Sequence, residues 1–88
     1  MSKFSAKFKL LYTKTAFKDI QKLDSVAKKK IKKKIEICCQ RPLFYSRKLT
    51  KSSLGSYRWR VGSYRIVFDI KKDRIIILRV GHRGEIYR

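Results

Sequence analysis

Arginines dominate the one segment of the chain whose pattern predicts a β-hairpin. Arg58 and Arg60 alternate with apolar residues before Gly62-Ser63, and Arg65 follows that pair. A two-residue loop with glycine first favours a type II′ turn, which places Arg60 opposite Arg65. The three arginines are therefore predicted to share one open face. Like charges across a ladder cost up to about 1 kcal/mol, so a bound phosphate is the expected reason for the arrangement.

Such an arginine cluster suits phosphodiester chemistry on RNA. RNA carries its own nucleophile in the 2′-OH, so the protein must align the phosphodiester and stabilise charge in the transition state. Two protons must also move, and arginine is never an effective base. His82 is the only histidine and has the best-suited pKa of any residue type present. The sequence has no HExxH, no CxxC pair and no Gly-rich phosphate loop, so neither a metal nor a cofactor is expected.

A second basic feature is a run of lysines between the predicted helix start at Asp24-Ser25 and its end near Gln40, ahead of Pro42. The apolar stripe of this helix is Ala27, Ile31, Ile35 and Cys38, at helical spacing. The rest of the circumference is lysine, which suits electrostatic attraction to a polyanion. The residues are Lys28, Lys29, Lys30, Lys32, Lys33 and Lys34.

Composition bounds the class of protein. The 88 residues include 25 lysines and arginines against 6 acids, a formal charge of +19, yet 43% are hydrophobic. This predicts a single folded domain over residues 1–88 with a polyanionic partner, not a disordered basic tail. No apolar run approaches a membrane span or signal peptide, so we expect a cytoplasmic protein without membrane contact. The adjacent Cys38 and Cys39 are expected to be reduced thiols.

The elements that position these residues follow from periodicity. A short strand over Phe8–Tyr12 precedes a helix capped by Thr13 or Thr15, and the lysine-rich helix completes a helical hairpin. Residues 41–56 are expected to be a loop with apolar anchors at Leu43, Phe44, Leu49 and Leu54. Three strands follow, at about 57–61, 64–70 and 75–80. The prediction is an α+β domain of order β-α-α-β-β-β, with the helical hairpin on one face of a small antiparallel sheet and the other face open to solvent.

Two segments resemble a known family. Gly55 to Phe68 is similar to the central arginine-rich segment of the RelE/ParE toxin superfamily, and Leu78 to Arg88 to its C-terminal signature. The RelE branch implies a toxin of a type II toxin–antitoxin system that cuts mRNA in the ribosomal A site through the 2′-OH. It also implies a cognate antitoxin, acidic and partly disordered when free, with the ribosome and mRNA as further partners.

The resemblance also assigns roles to residues. Arg58 and Arg60 stand where RelE toxins have active-site lysines, and Arg65, Arg83 and Tyr87 stand at family positions. The four arginines are expected to bind the scissile phosphate.

Proton transfer stays open between Tyr87 and His82, because arginine cannot replace lysine as an acid or base. Replacing Arg65 with alanine is expected to abolish toxicity and leave the melting temperature nearly unchanged. The alternatives are a ParE-like inhibitor of DNA gyrase, a weakened family member, and an unrelated basic nucleic-acid-binding domain.

Overall fold

The computed structural model describes residues 8–48 and 57–86, and this part of the chain forms one sheet and three helices. Strand order in the sheet is β1-β5-β4-β3-β2, so the α+β prediction is confirmed. In chain order the elements are β1 (Lys9–Tyr12), α1 (Lys14–Gln21), α2 (Ser25–Cys38), β2 (Arg47–Lys48), β3 (Tyr57–Val61), β4 (Tyr64–Lys71), β5 (Arg74–His82) and α3 (Arg83–Ile86).

Side-chain caps start both long helices, as predicted. The Thr13 hydroxyl accepts a hydrogen bond from the Ala16 N–H at 3.0 Å and caps α1. The Asp24 carboxylate accepts one from the Ala27 N–H at 2.8 Å and caps α2. Each cap satisfies one of the amide groups that a helix start leaves without an intrahelical partner.

The core lies between the helical hairpin and one face of the sheet. The largest buried pair is Trp59 and Phe68, whose rings stack with centroids 4.1 Å apart. Apolar residues of both helices pack onto them, which confirms the predicted stripe of α2 and the apolar face of the β3–β4 hairpin. The buried cluster comprises Ala16, Ile31, Ile35, Cys38, Trp59, Ile66, Phe68, Ile75, Ile77 and Val80.

Strand β1 corrects the expectation of an antiparallel sheet. It pairs parallel to β5, from Lys9 opposite Arg74 to Tyr12 opposite Ile77, whereas the other neighbours pair antiparallel. A short strand pattern sets which side chains share a face but not the direction of the strand. The direction here depends on a partner at the other end of the chain.

Two short elements were not predicted. Strand β2 falls in the predicted loop and pairs with the edge of β3, Arg47 opposite Arg58. Helix α3 spans only four residues, including the poor helix former Gly84. Segments of two and four residues are too short to show a periodicity. Of the predicted loop anchors, Leu43 and Phe44 are exposed, which contradicts an anchoring role, and Leu49 and Leu54 lie outside the described residues.

No helix within residues 8–48 and 57–86 has the length and apolar content needed to cross a membrane.

Candidate functional site

The register of the β3–β4 hairpin is the predicted one. Arg60 pairs with Arg65 and Arg58 pairs with Val67 across the ladder. Gly62 has a φ of 59° and Ser63 is not among the residues with positive φ, as a type II′ turn requires. Because strand side chains alternate, Arg58, Arg60 and Arg65 lie on the face opposite the core; we call these three residues the arginine face.

The arginine face is less open than expected. Arg65 is only 3% exposed, Arg58 is half-buried and Arg60 alone is exposed. The Arg65 Nη1 donates to the carbonyls of Gly62 and Tyr64, both at 2.8 Å, so its guanidinium folds back onto the turn. The prediction of three solvent-exposed arginines is therefore wrong for Arg65.

Helix α3 gives the physical reason for this burial. Gly81 pairs with Arg65, and a Cβ built on Gly81 would meet the Ile86 Cγ2 at 3.0 Å. The side chain of Ile86 thus lies directly over the strand position next to Arg65, and Ile86 is itself buried. Val67, on the same face, is fully buried too. The face predicted to stay in water is covered at this end of the sheet.

His82 lies apart from the arginine face. It pairs with Tyr64 across the β4–β5 ladder, and the two rings have centroids 4.4 Å apart at an interplanar angle of 37°. Tyr64 alternates with Arg65 and packs against the core, so His82 is on the core side of the sheet. The sheet therefore separates His82 from Arg58 and Arg60.

The backbone of Arg83 contacts the turn that joins the two strands of the arginine face. Its N–H donates to the carbonyl of Ser63 at 3.1 Å, so the first residue of α3 is tied to the turn that Arg65 also contacts. Arg83 is exposed. Tyr87 lies outside the described residues.

The lysine run occupies the outer surface of α2. Its residues are exposed except Lys34, which is half-buried, as expected for the solvent side of a helix packed through Ile31 and Ile35. Since α2 covers the core face, the lysines and the arginine face are on opposite sides of the sheet. Within residues 8–48 and 57–86, the lysine run and the arginine face therefore do not form one surface.

An ion pair that no sequence signal indicated ties α1 to β5. The Asp19 Oδ2 accepts from the Arg79 Nε at 2.8 Å and from the Val80 N–H at 3.0 Å. The hydrogen bond to Asp19 raises the pKa of Arg79. The pair lines an open cavity of about 650 Å³ that also includes Tyr64 and His82. Asp19 and Arg79 are sixty positions apart in sequence, so their spacing alone could not have predicted the ion pair.

Within the described residues no group of three or more His, Cys, Asp or Glu side chains is placed to hold a metal ion. The chemistry available on the arginine face is stabilisation of an anion: Arg60 is exposed to contact it, and Arg65 is held fixed by two carbonyls.

Comparisons with known proteins agree with this fold. The family model of the ParE toxin of type II toxin–antitoxin systems, parDE, matches residues 10–87. The toxin RelE3 of Methanocaldococcus jannaschii is 39% identical over 83 residues, which cover 90% of this chain and 94% of that protein.

Solved structures are similar as well. The toxin–antitoxin complex RelBE2 from Mycobacterium tuberculosis contains a chain with a TM-score of 0.78 and 26% identity, covering 88% of this chain and 99% of that one. The RelB–RelE complex from Methanococcus jannaschii contains one with a TM-score of 0.68 and 35% identity, covering 88% and 94%. From residues 10–87 of its sequence and from its fold, the chain belongs to the ParE toxin family of type II toxin–antitoxin systems, within the RelE/ParE superfamily.

Proposed function

We propose that this toxin is a ribosome-dependent endoribonuclease that cuts mRNA in the A site through attack of the 2′-OH, without a metal ion. The observation that carries the proposal is the arginine face, with Arg60 directly across from Arg65 in the ladder. Two adjacent positive charges are unfavourable in the free protein and favourable around a phosphate. The 39% identity to a protein named toxin RelE3 supports the RelE branch.

In this mechanism the arginines stabilise charge on the reacting phosphate. Arg60 and Arg58 contact the phosphodiester oxygens, and Arg65 adds a positive charge already fixed by the Gly62 and Tyr64 carbonyls. A preorganised charge needs no reorganisation when the phosphorane-like transition state forms. The arginine face has few groups that could align the 2′-OH with the scissile P–O bond. The ribosome supplies this alignment by holding the mRNA, which makes cleavage depend on the ribosome.

We assign proton transfer to Tyr87 and not to His82. His82 stacks on Tyr64 on the core side of the sheet, away from Arg58 and Arg60. A phenol has an ordinary pKa near 10, and a positive charge placed beside a phenol favours its ionised form. As the base, the phenolate takes the proton of the 2′-OH while the 2′-oxygen attacks phosphorus, and the resulting phenol gives that proton to the 5′-oxygen as the P–O5′ bond breaks. Two arginines are near Tyr87 in sequence: Arg83, whose N–H donates to the Ser63 carbonyl, four residues before it, and Arg88 directly after it.

The partners of the proposed toxin follow from charge and from its relatives. Both of the solved structures described above are toxin–antitoxin complexes, which supports an antitoxin partner here. A net charge of +19 favours an acidic antitoxin, partly disordered until bound. The lysines of α2 bind ribosomal RNA. The protein acts in the cytoplasm, because ribosomes translate mRNA there.

The test uses ribosomes stalled on a defined mRNA with an empty A site, with primer extension to map cuts and naked mRNA alongside. We expect a cut within the A-site codon on ribosomes only. Cutting of naked RNA would remove the ribosome dependence. No cut in either sample, from protein with a cooperative unfolding transition, would contradict the proposal.

A second candidate is inhibition of DNA gyrase by a binding mechanism. The match to the ParE family model favours it, as does arginine in place of lysine at Arg58 and Arg60. A supercoiling assay separates the two, because a gyrase inhibitor blocks supercoiling and leaves A-site mRNA intact. A weakened family member would do neither and would not arrest growth when expressed.

A further inference from the structure

The turn between α2 and β2 exposes aromatic side chains on a fixed backbone. Phe44 is 66% exposed and Tyr45 40% exposed. The turn itself is anchored, because the buried Trp59 indole donates to the Pro42 carbonyl at 3.0 Å and the Phe44 N–H donates to the Arg41 carbonyl at 3.1 Å. The two rings are therefore held outward by a backbone that is attached to the core.

Each exposed ring has its own cation. The Arg41 guanidinium carbon lies 4.2 Å from the centroid of the Phe44 ring, and the Lys34 Nζ lies 5.8 Å from that of Tyr45. The rings meet edge to face with centroids 5.0 Å apart. Lys34 is also the last residue of the α2 lysine run, so the aromatic pair continues that positive surface. Aromatic faces interleaved with positive charges are typical of single-stranded nucleic acid binding.

An open cleft of about 440 Å³ adjoins Phe44. Its walls are apolar, from Phe8, Leu43, Phe44 and Ile70, and its lining includes the cations Arg41 and Lys72. Lys72 has a φ of 56°, a left-handed conformation that favours glycine and costs a lysine roughly 1 kcal/mol. A positively charged side chain thus occupies a position of the cleft where glycine would be less strained.

The cleft is a different place from the arginine face. Lys72 follows the end of β4, whereas the Gly62-Ser63 turn precedes its start, and β4 has eight residues. At about 3.3 Å per residue the two ends of the strand are roughly 25 Å apart. Arg58, the member of the arginine face nearest the cleft along the ladder, pairs with Val67, five residues or roughly 16 Å before Lys72. A ligand in the cleft does not occupy the proposed cleavage site.

We propose that this cleft binds one unpaired base of single-stranded RNA, stacked on Phe44, with Arg41 and Lys72 near the flanking phosphates. The proposal takes from the proposed function only that RNA is the partner. A nucleotide uses both the planar apolar surface and the two cations. An acidic peptide would pair with the cations and leave the Phe44 ring in water.

The test is equilibrium binding of a short single-stranded oligoribonucleotide that contains 2-aminopurine and is 2′-O-methylated, so that 2′-OH attack cannot cut it. We expect quenching of the 2-aminopurine fluorescence and a loss of affinity of roughly 5- to 150-fold for Phe44→Ala, the range that corresponds to alanine substitution of a stacking aromatic side chain. Phe44→Trp should bind at least as tightly as the unaltered protein. Phe17→Ala is the matched control, because Phe17 is 58% exposed on α1 and lines no part of this cleft.

An oligonucleotide of the same length with an abasic site in place of 2-aminopurine distinguishes stacking from charge. Phe44→Ala should bind it as the unaltered protein does. Equal affinities of Phe44→Ala and Phe17→Ala for the base-containing strand would overturn the proposal, as would an equal loss on both strands. Loss of antitoxin binding with unchanged RNA binding would also overturn it and make the surface a protein interface. This assay measures binding and involves no cleavage. Absence of base stacking at the cleft would therefore leave the nuclease proposal intact, and absence of cleavage on ribosomes would leave the cleft proposal intact.

Discussion

Arg60 and Arg65 face each other across the ladder but differ in burial, and substitutions should separate their roles. Arg60→Ala removes an exposed side chain, so the free energy of unfolding should change by less than about 0.5 kcal/mol while A-site cleavage is lost. Arg65→Ala removes two charge-assisted bonds to turn carbonyls and should cost about 1.5–3 kcal/mol as well as activity.

Urea unfolding of both variants, with cleavage assayed below the transition, measures the two effects. The sequence alone led to the expectation that Arg65→Ala would leave stability unchanged, and its burial reverses that expectation. If Arg65→Ala unfolds at the same urea concentration as Arg60→Ala, the turn contacts of Arg65 contribute nothing to stability.

Cys38 gives the fold a pH dependence in the alkaline range. Burial raises the pKa of this thiol from 9.0 to about 11. A pKa that is higher in the folded state contributes stability that is complete below about pH 9 and is lost as the pH rises toward 11. Two pKa units correspond to about 2–3 kcal/mol.

The comparison of the unaltered protein with Cys38→Ala isolates this effect, because lysine and tyrosine titration is common to both. The unaltered protein should lose stability relative to Cys38→Ala between about pH 9 and 11, measured by urea unfolding at each pH. Parallel stability curves over this range would mean that the Cys38 thiolate is tolerated in the core.

At the scale of elements, side chains of α1 and of its N-cap residue complete an edge that β1 leaves open. Strand β1 pairs with β5 only as far as Ile77. Beyond it the Thr13 hydroxyl donates to the Leu78 carbonyl at 3.1 Å, and the Asp19 carboxylate accepts from the Val80 N–H. These bonds attach the helical hairpin to the strand that carries His82.

Removing Asp19 tests this attachment. Asp19→Ala should cost about 1–3 kcal/mol, since it leaves the Val80 N–H and the Arg79 guanidinium without this acceptor. A double-mutant cycle with Arg79→Ala should give a coupling energy above about 0.5 kcal/mol by thermal or urea unfolding. Glu36→Ala, an exposed acid on α2, serves as the control for loss of one negative charge. Strict additivity would show that Asp19 acts through Val80 alone.

The elements also show what a sequence can and cannot specify. Gly62-Ser63 fixed the hairpin register because a two-residue type II′ turn permits only one pairing. The helix caps at Thr13 and Asp24 could be predicted for a similar reason, because a cap depends only on residues two or three positions apart in sequence. The direction of β1, the burial of Arg65 beneath α3 and the pairing of Asp19 with Arg79 depend on residues distant in sequence, and a local pattern does not encode them.

On the scale of the whole molecule, positive charge covers both sides of the sheet. The lysine run is on the helical side and the arginine face on the other, and the net charge is +19. The two surfaces suit different tasks: exposed lysines attract a polyanion over a distance, and ordered arginines contact one phosphate.

The salt dependence of ribosome binding measures how strongly the exposed lysines attract a polyanion. With six to ten phosphate contacts, affinity should fall by about 10³–10⁵ between 50 and 200 mM salt. Replacing Lys29 and Lys33 with glutamine should reduce the slope of log affinity against log salt by about one for each lost contact. Affinity that hardly changes with salt would contradict the electrostatic account.

The central claim is that mRNA is cut on the ribosome by its own 2′-OH. The most direct measurement compares two stalled ribosomal complexes, one with an ordinary mRNA and one with a single 2′-deoxynucleotide at the mapped cut in the A-site codon. We predict a cut in the first with a 2′,3′-cyclic phosphate end and none in the second. Cutting of the deoxy-substituted mRNA at the same position would contradict the account, because the nucleophile would then have to come from elsewhere.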